Sequence, residues 1–123
     1  MKKSILLFLA ISLTTCLNAQ NLLPEMWKFK TGDDSQWASP SFDDSGWADI
    51  KAGIQWESQG YNGYDGYAWY RVTFMVPAGL EATAKKYGGL NLALGKIDDV
   101  DFTYVNGKLV GGLGEVPPDY QTA

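Results

Sequence analysis

The chain has no histidine and one cysteine, Cys16, in 123 residues. Without histidine there is no usual general base, no Ser-His-Asp or Cys-His constellation and no imidazole ligand for a metal. Cys16 lies in the leading apolar segment, so the residues that follow it have no thiol for a disulfide, a thiolate metal site or a cysteine nucleophile. Long apolar runs are also scarce. The one near the N-terminus, Ile5 to Leu13, is too short to span a membrane. Basic residues are in the minority, at 10 against 14 acids, for a net charge of −4. That balance argues against nucleic acid or an anionic membrane as partner.

What is present begins with an export signal. Lys2 and Lys3 precede the apolar run, and Leu17-Asn18-Ala19 supplies the small residues of a cleavage site before Gln20. Residues 1–19 are therefore expected to be a signal peptide, which predicts a periplasmic or secreted protein. A lipoprotein anchored through Cys16 is the alternative, disfavoured because Thr15 is bulkier than the residue usual before such a cysteine. Removing Lys2 and Lys3 takes the charge from −4 to −6. Residues 20–26 form a lead-in and residues 27–123 a single domain.

Trp27 to Lys30 alternates like a first strand. A near repeat follows, Asp33-Asp34-Ser35-Gln36-Trp37 and Asp43-Asp44-Ser45-Gly46-Trp47. Aspartate and serine hold turns through local backbone hydrogen bonds, and a following tryptophan gives each turn an apolar anchor. Two loops pinned by Trp37 and Trp47 are expected here rather than two binding sites. Asp49 to Trp56 reads as another extended piece. Glu57 to Tyr67 is a loop rich in glycine and tyrosine, a composition suited to recognising polar rings. Ala68 to Val76 is the clearest strand and ends at Pro77. The stretch from Leu80 to Lys86 suggests one or two helical turns.

Leu90, Leu92 and Leu94 alternate as a strand with one buried face, and Val100 to Val105 alternates again. Asn106-Gly107 is a strong two-residue hairpin signal, because a type I′ turn needs positive φ at both central residues. The register that follows pairs Tyr104 with Leu109 and Thr103 with Val110. Many short strands separated by turns predict an all-β sandwich. Gly111 would lie on an edge left open unless further residues pair with it.

Asp98, Asp99 and Asp101 form the densest acidic cluster. Paired carboxylates roughly 5 to 9.5 Å apart cleave glycosides. Neighbouring aspartates more often cap a turn or meet a cation, and Arg71, the single arginine, is the natural partner. Calcium would accept these oxygens, but the spacing is not that of an EF-hand loop. The expectation is a structural cluster and no cofactor, with structural calcium as the alternative.

Phe42 to Trp47, Trp56 to Tyr61, Asp65 to Arg71, Leu94 to Asp101 and Val105 to Gly111 fall in one order. In that order they resemble the N-terminal sugar-binding, galactose-binding-like jelly-roll domain of family 2 glycoside hydrolases, the β-galactosidase type. The same sandwich occurs in bacterial sialate O-acetylesterases. The resemblance covers about Trp27 to Tyr120 and implies a jelly-roll β-sandwich. It also implies a further strand pair after Asp119-Tyr120, so the domain is expected to lack its last strands. The family's catalytic residues sit in other domains, so no catalytic residue is expected here. The implied role is non-catalytic, packing on the catalytic domain of a parent hydrolase and shaping the cleft for a glycan substrate. The alternatives are an esterase accessory domain and a free-standing glycan-binding module. For sugar contact the resemblance points to the loop before the Trp69-Tyr70-Arg71 strand, hence Asn62, Tyr64 and Asp65. Trp69, with Tyr61, Tyr64 and Tyr67, is a candidate stacking platform, but covering the outer side of a sheet against a neighbouring domain is its favoured reading. Trp47, Arg71, Asp98, Asp99, Asp101, Asn106 and Gly107 are expected to be structural.

Overall fold

The computed structural model describes residues 21–95 and 100–114. Its five strands form two antiparallel sheets: β1 (Met26–Thr31), β2 (Ala48–Lys51) and β3 (Ala68–Arg71) in the order β2-β1-β3, and a hairpin of β4 (Asp101–Val105) and β5 (Lys108–Leu113). One ten-residue helix, α1 (Ala78–Tyr87), and two 3₁₀ turns, Ser35–Ala38 and Trp56–Gln59, complete the described elements. The architecture is all-β with little helix.

β1 is the organising strand because it pairs on both sides. Trp27 lies opposite Ile50, and Phe29 lies between Ala48 and Tyr70. Directly opposed residues share a face, so Trp27, Phe29, Ile50 and Tyr70 form one apolar face. Phe29 and Ile50 are each 1% exposed. The residues after β2 cover that face: Phe29 touches Trp56 and Tyr61 with ring centroids 5.9 and 4.5 Å apart, and its cross-strand neighbour Tyr70 at 4.9 Å.

The opposite face carries Lys28, Lys30, Asp49, Trp69 and Arg71, and the two Asp-Asp-Ser turns close over it. Asp34 Oδ1 accepts from the Gln36 N–H at 2.9 Å, and Asp43 Oδ1 accepts from the Ser45 N–H at 3.0 Å. The other aspartate of each pair reaches across to β3. Trp69 Nε1 donates to Asp33 at 2.8 Å, and Arg71 Nε donates to Asp44 at 2.8 Å. Trp37 and Trp47 then meet edge to face at 5.1 Å. The two loops are pinned through their tryptophans as expected, and the aspartates add a tie to the sheet.

The hairpin forms at Asn106-Gly107, with φ of 51° and 79°. Tyr104 pairs with Leu109 as expected, but Thr103 lies opposite Gly111 rather than Val110. The register shifts between Thr103 and Tyr104, a bulge that adds one residue to β5. At the open end, Asp101 accepts from the Leu113 N–H at 3.1 Å and from the Thr103 hydroxyl at 3.0 Å.

Three expected strands are corrected. Leu90 to Leu94 forms no ladder, and Leu90 and Leu92 remain exposed. Alternation marks a half-buried face, but a strand also needs a neighbour to bond. β3 stops at Arg71 instead of Val76. Its register runs against β1, and past Thr73 it would need residues ahead of Met26, where β1 begins. Asp49 to Trp56 is extended only to Lys51, because the backbone turns through Gly53 (φ 78°) into the second 3₁₀ turn. The helix, by contrast, is longer than one or two turns. Gly88 takes φ 80° and the Gly89 N–H reaches Ala84 O at 2.9 Å, a Schellman stop.

Candidate functional site

The loop between the second 3₁₀ turn and β3 holds three of the four expected sugar contacts, and its anchorage decides which remain available. Gln59 ties its start to β2. Its Oε1 accepts from the Lys51 N–H at 2.8 Å, and its Nε2 donates to Lys51 O at 3.1 Å and Ile54 O at 3.0 Å. The side-chain amide thus pairs with both backbone groups of an edge residue, as a neighbouring strand would. Gly60 (φ 104°) ends the 3₁₀ turn, and the Tyr64 N–H closes a turn onto Tyr61 O at 3.1 Å. With Gly63 at φ 71° in its third position, the turn has the type II arrangement.

Tyr64 points inward. Its hydroxyl donates to Tyr67 O at 2.6 Å and accepts from the Gly32 N–H at 3.3 Å, and its ring meets Trp56 at 6.0 Å. A phenol used in this way braces the loop, and its hydroxyl is engaged within the molecule. Asn62 and Asp65 stand exposed on the rim, and so does Tyr67, 54% exposed.

Trp69 is separate from that rim. It projects from the opposite face of the first sheet, where it meets Trp37 edge to face at 6.1 Å and stacks on Tyr104 at 5.6 Å and 21°. With Asp33 holding its indole N–H, both ring and donor are engaged within the molecule. A platform combining Trp69 with the loop tyrosines is therefore not assembled. The stack instead fastens the hairpin to the three-stranded sheet. A second contact helps, since the Gly107 position lies against Pro40 and Ala38.

Arg71 meets a partner other than the expected one. It pairs with Asp44 and donates through Nη1 to Trp37 O and to Ser39 O at 3.2 Å, lying beneath Phe42 and Trp47. Asp101, with both oxygens committed within the hairpin, is not that partner, and Asp98 and Asp99 lie outside the described residues. Spacing along the sequence points to the densest acid cluster; the second Asp-Asp-Ser turn, folded over the sheet, brings Asp44 to the arginine instead.

Among the described residues, two groups are shifted from their ordinary pKa values. The Ser45 N–H and hydroxyl lower the Asp43 pKa. Burial, followed by the Glu57 carboxylate, raises that of Tyr70. Among the described residues no group of three or more acidic or thiol side chains is placed to hold a metal, and no helix is long and apolar enough to cross a membrane. Shallow apolar hollows of about 460 and 580 Å³ open along the hairpin, the larger between Leu90, Leu92 and Leu94 and the strand residues Val110 and Leu113.

Comparison of the sequence and fold with protein-family models, curated proteins and solved structures gives no match.

Proposed function

We propose that the protein is an exported, non-catalytic β-sandwich module of the galactose-binding-like jelly-roll kind. It serves a carbohydrate-active hydrolase, β-galactosidase-like, by packing against the catalytic domain and shaping its substrate cleft. The observation that carries this reading is the surface of β4 and β5. Phe102 and Leu109 on one side of the hairpin, the bulged Val110, and Leu113 on the other side next to Leu90 and Leu92 leave apolar surface half exposed on both sides. Hairpin surface this apolar on a protein this acidic fits a neighbouring domain better than water. Support also comes from the ordered series of motifs and from the lack of any histidine or downstream thiol.

The test is the coding sequence downstream of Ala123. An in-frame (β/α)₈ barrel with two glutamates supports the reading, and a serine-hydrolase domain moves the module to the esterase alternative. A stop codon directly after Ala123 overturns both. The glycan-binding alternative is favoured by one observation, the exposed rim of Asn62, Asp65 and Tyr67. Calorimetric titration with galactosides should then show binding that Asp65→Ala or Tyr67→Ala weakens, and no heat at millimolar sugar sinks it.

A further inference from the structure

The sequence contains the dipeptide Asn-Gly twice, at Asn62-Gly63 and Asn106-Gly107, and the fold holds the two very differently. We propose that Asn62 is a site of spontaneous deamidation and that the fold protects Asn106 from the same reaction.

The chemistry needs only water and a base. The Gly63 amide nitrogen gives up its proton to solvent base and attacks Asn62 Cγ. A new N–Cγ bond forms as the bond between Cγ and Nδ2 breaks, and ammonia leaves with the proton it gains from water. Water then opens the resulting five-membered imide at either carbonyl. The products are aspartate or isoaspartate, with no change of oxidation state. Glycine in the following position favours attack because no Cβ shields its nitrogen.

Attack also requires the asparagine backbone to rotate until that nitrogen faces its own side chain, and here the two sites differ. At Asn62 the rotation disturbs one backbone bond, Tyr64 N–H to Tyr61 O. Both dipeptides are exposed, so exposure does not separate them, but nothing lies within 4 Å of the position a Gly63 Cβ would take. Gln59 and Tyr64 hold the loop on either side, so this short turn can open alone. Asn106 is fixed at φ 51° between the paired residues Val105 and Lys108. Beside it the position a Gly107 Cβ would take is 3.0 Å from Pro40 Cδ and 3.5 Å from Ala38 O. Rotation there must separate hairpin from sheet, a larger opening and so a rarer one.

Deamidation at Asn62 would add a negative charge to a loop that already carries Glu57 and Asp65. The isoaspartate product would also insert a methylene into the Tyr61–Tyr64 turn. The proposal stands whether or not the loop meets a glycan.

The test is timed incubation of the folded protein in mildly alkaline buffer, followed by digestion and peptide mapping by mass spectrometry. A parallel sample is held in concentrated urea. Asn62 should convert at least about tenfold faster than Asn106 in the folded protein, the ratio given by about 1.4 kcal/mol of extra opening cost. In urea the two rates should converge. Equal rates in the folded protein, faster loss at Asn106, or a tenfold ratio that persists in urea would each overturn the proposal.

Discussion

At the scale of single residues, two tryptophans make a controlled comparison. Trp69 donates its indole N–H to Asp33, whereas the buried Trp56 Nε1 has no acceptor among the described residues. A hydrogen bond to a charged group contributes more than a neutral one, and an unmatched buried donor is a cost. Trp69→Phe should therefore destabilise by about 1–2 kcal/mol more than Trp56→Phe, measured by urea unfolding. Equal losses would mean that the Asp33 bond contributes nothing.

Tyr70 gives a pH signature at the same scale. Burial and the Glu57 carboxylate raise its pKa, so the folded state holds the phenol proton more tightly than the unfolded state does. The associated stability is complete below the ordinary phenol value, about 10, and falls as pH rises from there toward the higher folded value. Alkaline melts should show that decline, and Tyr70→Phe should flatten it.

At the scale of elements, the hairpin depends on a close approach at its open end. A Cβ on Gly112 would lie 2.6 Å from Asp101 O, a backbone atom that cannot swing aside. Gly112→Ala should separate β4 from β5 near the bulge and disturb the Trp69–Tyr104 stack. Near-UV circular dichroism should then lose intensity while the three-stranded sheet persists in the far-UV spectrum. Gly46→Ala, where a Cβ meets nothing within 4 Å, is the matching control.

Elements are legible in the sequence wherever local chemistry decides them. Trp27 to Lys30, the Asn106-Gly107 turn, the Tyr104–Leu109 pair and the two tryptophan-pinned loops follow from alternation, positive φ and side-chain turns. Leu90 to Leu94 is not, because a ladder depends on a neighbour that alternation does not reveal. The Val110 bulge is equally invisible, since Thr103 and Val110 would match in an unbroken register. At the candidate site, the exposed rim at Asn62 and Asp65 can be read from its glycines, but the inward turn of Tyr64 cannot. A loop tyrosine has the same composition whether its hydroxyl meets a ligand or the carbonyl of Tyr67.

At the scale of the whole molecule, burial and apolar surface are unevenly distributed. Among the described residues only Phe29, Trp47 and Ile50 form the buried apolar core, while the hairpin leaves several large side chains half exposed. The two regions should answer substitution in opposite ways. Phe29→Ala removes a ring that touches Trp56, Tyr61 and Tyr70, and should cost about 3–5 kcal/mol. That is a large share of the roughly 5–15 kcal/mol that holds a domain together, so cooperative unfolding should shift markedly. Val110→Ser lies on the exposed hairpin surface and should leave the melt of the isolated module within about 0.5 kcal/mol of the unsubstituted protein. If that surface meets a catalytic domain, the same change should weaken their association, and Phe102→Ser should weaken it further. Binding of the separately expressed domains by calorimetry checks this, and unchanged affinity in both variants would remove the hairpin surface from the interface.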